Sequence, residues 1–387
     1  MPEKNSQHLL DRLAEIQDPR NEKGKRHPLH SILGLIIIGL MSGHKGYTST
    51  ATWARSQPVL VQALGWTHKT SPCAATGHNV LKVLDADAVE KTWTNWVEDV
   101  CPSQPDLEGC LDTVAIDGKT MRASKKSGAT ISHLLSVVSH ELGVTLTQQG
   151  VSDKTNEIPI STEILKNFDV SGKIITTDAL LTQKTFCHAI IEGNGDYMLP
   201  VKKNHPDLYD EIQKLFQDVP DTLSENATHP LLGDPMDNHQ TCEKSHGRLE
   251  TRCLKASSSL NEYLDWPGTE QVIQYRYIRK NPNTGEETTK VNYGRTSLTP
   301  EEASAERLLE LHRGHWAIEN KSHWMRDTQL GEDASSVRTG TIPQTMAALR
   351  NAALAVLRFD GVTRIADKIR YYASKPLLAV KLITECF

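Results

Sequence analysis

The stretch Leu111-Asp-Thr-Val-Ala-Ile-Asp-Gly-Lys-Thr-Met-Arg122 decides the fold class, because its short apolar run ends in the carboxylate of Asp117. Such a run predicts a buried strand, and Gly118 and Lys119 follow the acid directly. A carboxylate at the end of a rigid strand, with a cation beside it, is typical of a metal ligand that faces a phosphate. The Asp-Gly pair is also a strong hairpin signal, so a plain turn is an alternative at this point.

The segments after this stretch predict a mixed sheet. Strand-like runs alternate with helical periodicity, and a second acid, Asp178, closes the fourth predicted strand as Asp117 closes the first. The order βββαβαβα, with acids at these two strand ends, predicts an α/β fold with a ribonuclease H-like mixed sheet. The predicted elements are strands 111–117, 133–139 and 143–149, helix 157–168, strand 171–178, helix 183–191, strand 197–202 and helix 206–216.

The regions that flank this predicted sheet have other patterns. Residues 1–105 are mostly helical in periodicity and end in a Pro-rich linker. Residues 219–299 break into strand-like runs around a hairpin signal at 281–285. Helix is predicted to return at Thr299-Pro-Glu-Glu302, where Thr suits the N-cap and Pro the first helical position. The C-terminal residues 336–387 are again predicted to be helical.

Composition limits the class of protein. The sequence is 38% hydrophobic and 24% charged, which is ordinary for a soluble globular chain with two or three domains. The seven cysteines are scattered and never form Cys-x-x-Cys, so we expect no disulfide framework, no structural zinc and a location in the reducing cytoplasm. The apolar run at 32–41 is far too short to span a bilayer and predicts a buried helix.

The formal net charge of −5 does not by itself indicate a nucleic-acid binder, because phosphate backbones are usually met by an excess of Lys and Arg. The charged residues are nevertheless distributed unevenly along the sequence. From Arg338 onward, eight basic residues face three acidic ones, and residues 18–27 form a second basic segment. Each segment is either a contact for the DNA backbone or a solvated surface.

A third acid lies in a predicted helix. Glu319 is one turn from His315 and one turn from His323, and Arg326 follows at helical spacing, so one face carries all four side chains. One alternative is that the neighbouring aromatic residues pack while these polar groups simply face solvent. A second is a zinc site made of His312, His315 and His323, but the spacing is not that of His-Glu-x-x-His and no fourth ligand is evident.

Five ordered motifs carry a resemblance to a known family. They are Thr113-Val-Ala-Ile-Asp-Gly-Lys119, Lys154-Thr-Asn-Glu-Ile158, Thr177-Asp-Ala179, His246-Gly-Arg-Leu-Glu-Thr-Arg252 and His315-Trp-Ala-Ile-Glu-Asn-Lys-Ser-His-Trp324. With these motifs the chain resembles the ISAs1-type insertion-sequence transposases, including the H-repeat-associated proteins, over nearly its whole length. In that broader DDE class the three acids match Asp117, Asp178 and Glu319, and a β-rich insertion lies between the second and the third.

The resemblance implies a metal-dependent active site. Three converging carboxylates repel one another unless divalent cations are present, and hard oxygen ligands select Mg²⁺ or Mn²⁺. Two such ions about 3.5 to 4 Å apart can activate a water or a 3′-hydroxyl and stabilise the leaving oxygen. We therefore expect Asp117, Asp178 and Glu319 to be both the catalytic residues and the ligands of two ions.

The resemblance also implies contacts with DNA. Related insertion-sequence transposases place Tyr, Arg and Lys around the glutamate, at the positions that hold His312, His315 and Arg326 in this chain. Cations near the three acids are further candidates. The residues expected to contact DNA are Lys119, Arg122, Lys125, Lys126, Arg248, His315 and Arg326.

The predicted function is therefore that of a DDE transposase, which cleaves DNA and transfers strands of an insertion sequence with Mg²⁺ or Mn²⁺. The alternatives are a domesticated, catalytically silent DNA-binding protein and a metal-dependent nuclease of the same fold. A homodimer on double-stranded DNA is expected, because two transposon ends must be paired. The predicted segments are a helical N-terminal DNA-binding domain (1–105), the first part of the catalytic core (106–218), a β-rich insertion (219–299), a catalytic helix that completes the core (300–335) and C-terminal helices (336–387).

Overall fold

A computed structural model describes most of the chain. Three residues predicted to contact DNA, Arg122, Lys125 and Lys126, lie outside the described residues, as does His246. The described residues are 8–66, 68, 70–101, 112–120, 133–151, 157–220, 227–230, 232–245, 247–361 and 364–385.

One mixed sheet of nine strands forms the centre of the fold. In chain order the strands are β1 (Thr113–Thr120), β2 (His133–Ser139), β3 (Thr145–Val151), β4 (Ile174–Thr177), β5 (Asp196–Val201), β6 (Met236–Ser245), β7 (Arg248–Ser257), β8 (Gln271–Lys280) and β9 (Glu287–Thr296). Their order in the sheet is β3-β2-β1-β4-β5-β9-β8-β7-β6. Strand β4 pairs in parallel with β1 and with β5, whereas β2 and β3 are antiparallel. The predicted α/β fold with a mixed sheet is confirmed, and β3-β2-β1-β4-β5 is the order expected of a ribonuclease H-like core.

Helices flank this sheet. In chain order they are α1 (Leu9–Ala14), α2 (Leu29–Met41), α3 (Tyr47–Ala54), α4 (Pro58–Ala63), α5 (Ala74–Val83), α6 (Ala86–Val100), α7 (Glu157–Asn167), α8 (Lys184–Glu192), α9 (Pro206–Phe216), α10 (Ala305–His315), α11 (Trp324–Thr328), α12 (Ile342–Phe359), α13 (Ile365–Ser374) and α14 (Pro376–Thr384). A π-helical turn at Ile318–His323 lies between α10 and α11. The helical character predicted for both ends of the chain is confirmed.

The β-rich segment continues the sheet. Strands β6 to β9 form successive antiparallel pairs, and β9 pairs with β5. Strand β6 was not predicted, because its sequence Met236-Asp-Asn-His-Gln-Thr-Cys-Glu-Lys-Ser245 lacks an apolar alternation. It lies at the edge of the sheet and most of its residues are at least partly exposed, so packing did not require that alternation.

The helix predicted to begin at Thr299 begins later. Thr299 and Glu302 form a closed turn, in which each side chain accepts a hydrogen bond from the backbone amide of the other. The helix α10 then starts at Ala305, where Ser304 is the N-cap and the carboxylate of Asp237 accepts from the Ala305 amide at 2.6 Å. The sequence carries two capping signals in succession, and the first stabilises a turn.

Contacts group the chain into two compact units, and the predicted five segments remain a prediction. Unit one contains residues 1–111, 118–156 and 317–387, and unit two contains 112–117 and 157–316, so β1 contributes to both. In unit one the helices α2 and α12 are buried along nearly their whole length, as the apolar run at 32–41 predicted for α2. Within the described ranges, each helix is too short or too polar to cross a membrane.

Unit two has an apolar core on each side of β8. Ile273 and Tyr275 pack with the apolar face of α10, which includes Leu308. Val272, one residue away, packs with Ile212 of α9. This alternation follows from the two-residue period of a strand. The core therefore fixes α10, whose end leads directly into the π-helical turn.

Candidate active site

Asp117 and Asp178 follow two paired positions on neighbouring parallel strands. Ile116 of β1 is the register partner of Thr177 of β4, and both are buried. Ligand sites of open α/β sheets lie at the carboxyl ends of parallel strands. Asp117 lies within β1, directly after the last residue that pairs with β4, and Asp178 directly follows β4, so the register brings the two acids next to each other where this pairing ends.

The carboxylate of Asp178 turns toward its own loop. It is exposed, and its Oδ1 accepts hydrogen bonds from the backbone amides of Leu180 at 2.9 Å and Leu181 at 3.3 Å. A short acceptor after a strand commonly closes such a turn. These two bonds orient Asp178 in the absence of any ligand.

Glu319 lies in the π-helical turn together with His323. The Glu319 side chain is exposed, whereas His323 is buried and its Nδ1 lies 3.5 Å from Oε2 of Glu319. Burial, with Arg326 and Lys119 nearby, lowers the pKa of His323 to about 3, so its imidazole is neutral.

The π-helical turn is held by the turn that joins β2 and β3. Lys321 donates from Nζ to the backbone oxygens of His140, at 2.9 Å, and of Glu141, at 2.6 Å. Arg358 of α12 donates to the backbone oxygen of Lys321 at 3.2 Å. A π-helical turn is rare and is often found at functional sites. Here it places Glu319 and His323 on a segment with several fixed anchors.

A buried ionic cluster lies behind this segment. Lys119 Nζ lies 2.6 Å from Asp327 Oδ2 and 3.9 Å from Glu332 Oε2, while Arg326 Nη2 lies 2.6 Å from Glu332 Oε1. Arg350 approaches the same Glu332 carboxylate at 4.0 Å. Burial alone would raise the pKa of Glu332, but the attraction of Arg326, Arg350 and Lys119 outweighs it and lowers the pKa to about 2. Glu332 is therefore charged and compensated, and the cluster ties the end of β1 to α11.

This cluster corrects two predictions about DNA contacts. Arg326 is fully buried and Lys119 is 8% exposed, and both are paired with carboxylates. The ammonium of Lys119 and the guanidinium of Arg326 are both held by carboxylates in this conformation. Neither group is available to a DNA phosphate. Arg326 does not lie on the predicted face, because a π-helical turn contains more residues per turn than an α-helix. Arg248, by contrast, is exposed at the start of β7 and remains a predicted contact.

The two histidines of α10 have separate surroundings. His315 Nδ1 lies 3.0 Å from the Thr176 hydroxyl of β4. Burial lowers its pKa to about 4, with Asp178 opposing and Lys202 reinforcing the shift. His312 packs its ring 4.0 Å from that of Tyr275, and burial lowers its pKa to about 4 as well. Both are neutral near pH 7, so His315 is predicted to meet DNA as a hydrogen-bonding group without charge.

The role of Glu332 was not predicted, because nothing in its local sequence distinguishes it from a surface acid. The alternative interpretation, in which the apolar residues beside Glu319 pack, agrees with the structure only in part. Ile318 is 2% exposed, but Trp316 is 61% exposed and Trp324 is 50% exposed.

The donors on each unit suit a divalent cation. In unit one the carboxylate of Glu319, which favours Mg²⁺ or Mn²⁺, lies beside the neutral imidazole of His323, which can also serve as a ligand. In unit two the carboxylates of Asp117 and Asp178 follow paired positions of β1 and β4. The residues present therefore fit a divalent metal ion.

Comparisons with known proteins give one consistent result. Residues 108–356 match the family described as "Transposase DDE domain", and residues 10–97 match the one described as "DDE_Tnp_1-associated". "Putative transposase YncI" of Escherichia coli O157:H7 is 29% identical over 91% of this chain and 87% of its own length. "H repeat-associated putative transposase YhhI" of Escherichia coli (strain K12) is 28% identical over 92% of this chain and 91% of its own. A solved synaptic complex of piggyBac transposase with hairpin DNA covers 96% of this chain and 78% of that chain at 8% identity, and its TM-score of 0.46 is too low to support an argument.

Proposed function

The chain belongs to the Transposase DDE domain family, and from this premise we propose that it cleaves the DNA ends of an insertion sequence and joins them to a target with the help of divalent cations. The observation that carries the proposal is the register of β1 and β4, by which Asp117 and Asp178 follow directly after paired residues of neighbouring strands. Glu319, an exposed carboxylate on the π-helical turn, is the proposed third acid.

Asp117, Asp178 and Glu319 are the proposed catalytic acids and the proposed ligands of two Mg²⁺ or Mn²⁺ ions. When bound, such ions supply charge stabilisation for the attacking and leaving oxygens of a phosphoryl transfer. The Asp178 carboxylate accepts hydrogen bonds from the backbone amides of Leu180 at 2.9 Å and Leu181 at 3.3 Å. In this proposal its side chain rotates away from them to bind the ions.

The surrounding residues position the acids. Lys119 anchors the end of β1, two residues after Asp117, through its 2.6 Å contact with Asp327. Lys321 anchors the π-helical turn two residues after Glu319. A catalytic geometry is productive only within a fraction of an ångström, so such anchors matter for rate. In this proposal each anchor holds its own acid in position while the substrate binds.

The partners follow from the proposed reaction. We infer that the substrate is double-stranded DNA, with the terminal inverted repeats and a target site, and that two copies of the chain act together because two ends are joined. Arg248 and His315 remain proposed DNA contacts. The proposed cytoplasmic location is supported by the sequence, in which the cysteines are scattered and never form Cys-x-x-Cys.

The test is a cleavage assay with Mg²⁺ on DNA that carries the inverted repeats flanking the gene. The native chain should nick this DNA, and Asp117→Asn, Asp178→Asn and Glu319→Gln should each reduce the rate by roughly 100-fold or more. Asp210→Asn is a matched control, because Asp210 is exposed on α9 and takes no part in the proposed site; it should cleave like the native chain.

Two outcomes separate this proposal from the alternatives. Binding of the end DNA with no cleavage by the native chain would favour a silent DNA-binding protein. Cleavage without any joined product, when a pre-cut end and a target plasmid are supplied, would favour a nuclease. A joined product that depends on all three acids supports the transposase.

A further inference from the structure

A polar cavity lies in the N-terminal helical region, and none of the acids described above lines it. Its volume is about 530 Å³, and the cationic side chains of Lys23, Arg26 and Arg55 line it. The neighbouring cations Arg20 and Lys25 are neutralised by ion pairs within the same basic segment. Among the described residues no carboxylate lines the cavity. Its potential is therefore positive.

Two polar groups in the cavity wall are buried and have no hydrogen-bond partner in the described part of the chain. Ser71 is 9% exposed and its Oγ is unpaired, and His27 is 6% exposed and its Nδ1 is unpaired. Buried polar atoms are nearly always satisfied in native proteins, and an unsatisfied one calls for an explanation such as a missing ligand. His27 and Ser71 both line the cavity, so their unpaired atoms are candidates for contact with a polar ligand bound there.

The cavity also contains the N-terminal end of α5. Cys73 precedes this helix, and its thiol lies 3.3 Å from the Thr76 hydroxyl. That hydroxyl and the backbone amides of the first turn lower the pKa of the Cys73 thiol. The end of α5 thus favours negative charge, as helix N-termini generally do.

From these observations we propose that the cavity binds a phosphate group of the DNA backbone, with Arg26 and Arg55 as its main cationic contacts and the Ser71 hydroxyl as a buried donor. The proposal rests on the proposed function for its source of phosphate. It adds a contact surface in the N-terminal region, where the predicted DNA-binding domain lies. A phosphate contact there positions the DNA without reading its sequence.

The first test measures binding of duplex DNA to the full-length chain by fluorescence anisotropy over a range of salt concentrations. The double variant Arg26→Gln/Arg55→Gln should bind roughly tenfold more weakly near 0.1 M salt. The slope of log K against log salt concentration should become shallower by about one, because one phosphate contact is lost. The control is Lys82→Gln/Lys91→Gln, which removes the same charge from exposed positions on α5 and α6 and should change the slope less.

A second variant separates binding from folding. Ser71→Ala removes a buried hydroxyl that has no protein partner, so it should not lower the melting temperature. It should nevertheless weaken DNA binding several-fold. A structural role for Ser71 predicts the reverse, with a lower melting temperature and unchanged DNA affinity.

Inorganic phosphate distinguishes the source of the ligand. If phosphate raises the melting temperature of the native chain but not of Arg26→Gln/Arg55→Gln, while DNA affinity and salt slope are equal in both, a free phosphate is the ligand and the DNA proposal is overturned. Equal behaviour of both proteins toward phosphate and DNA overturns the site altogether. These measurements of DNA affinity, salt slope and melting temperature are made without divalent cations and do not depend on cleavage, so failure of this proposal and failure of the three-acid active site give different results.

Discussion

Gly143 and Lys321 are in such close contact that a Cβ atom on Gly143 would stand 2.3 Å from the Cβ atom of Lys321. Gly143 also has a backbone φ of +65°, which residues other than glycine rarely adopt. Lys321 belongs to the π-helical turn that carries Glu319. A glycine in the turn between β2 and β3 is therefore a condition for the position of a proposed catalytic acid.

We expect Gly143→Ala to reduce the rate of DNA cleavage by roughly 10- to 100-fold, because the π-helical turn must shift by part of an ångström to relieve the contact. Stability should fall by about 1–3 kcal/mol from backbone strain and overpacking. The control is Gly285→Ala, because Gly285 has a φ of +74° but nothing within 4 Å of the added Cβ. If both variants cleave DNA equally well, the contact does not position Glu319.

The buried cluster around Glu332 predicts a large effect on stability. Glu332→Gln removes the carboxylate that compensates Arg326 and Arg350, at 2.6 and 4.0 Å. Breaking such a buried pair typically costs about 3–5 kcal/mol. Chemical denaturation at pH 7 measures the loss, with Glu163→Gln on the exposed face of α7 as a control that should change little. A loss below about 1 kcal/mol would show that the cluster is not the anchor of β1 described here.

The buried acid Glu90 predicts a dependence of stability on pH. Its carboxyl accepts from Gln148 at 2.6 Å, and burial raises its pKa to about 8 from an ordinary 4.5. Because the folded pKa is raised, the contribution of the protonated group to stability is complete below about pH 4.5 and is lost as the pH rises through about 8.

Glu90→Gln should therefore have a melting temperature close to that of the native chain at pH 5 and a few degrees higher at pH 9. The physical reason is that glutamine keeps the shape and the hydrogen bond but never becomes charged. Scanning calorimetry or fluorescence across this range measures it. A difference between the two proteins that does not change with pH would mean that Glu90 is ionised in the folded chain throughout.

The mixed sheet could be predicted from the sequence, with Asp117 and Asp178 beside its strands, because these signals are local. Asp117 and Asp178 each close a short apolar run, and parallel pairing of those runs then follows from the fold class. The strand β2 and the helix α9 were predicted at their observed bounds for the same reason.

The rest depends on contacts between distant segments. Helical spacing predicted Glu319 and Arg326, seven residues apart, on one helix face, but in the structure this stretch contains a π-helical turn, Glu319 is exposed and Arg326 is buried. No residue in that stretch is a sequence signal for a π-helical turn. The ion pair of Lys119 with Asp327 joins residues 208 positions apart, so Lys119, which the sequence suggested as a DNA contact, instead forms a buried anchor.

The central claim is that Asp117, Asp178 and Glu319 hold the same divalent cations. A crystal structure of the native chain with Mn²⁺ and a duplex carrying the terminal repeat, with the ions located by anomalous scattering, tests it most directly. We expect Mn²⁺ to lie about 2.0 to 2.2 Å from an oxygen of each of the three carboxylates, and the Asp178 side chain to be rotated away from the amides of Leu180 and Leu181. Manganese bound by Asp117 and Glu319 while Asp178 keeps its bonds to those amides, or bound elsewhere in the chain, would contradict it.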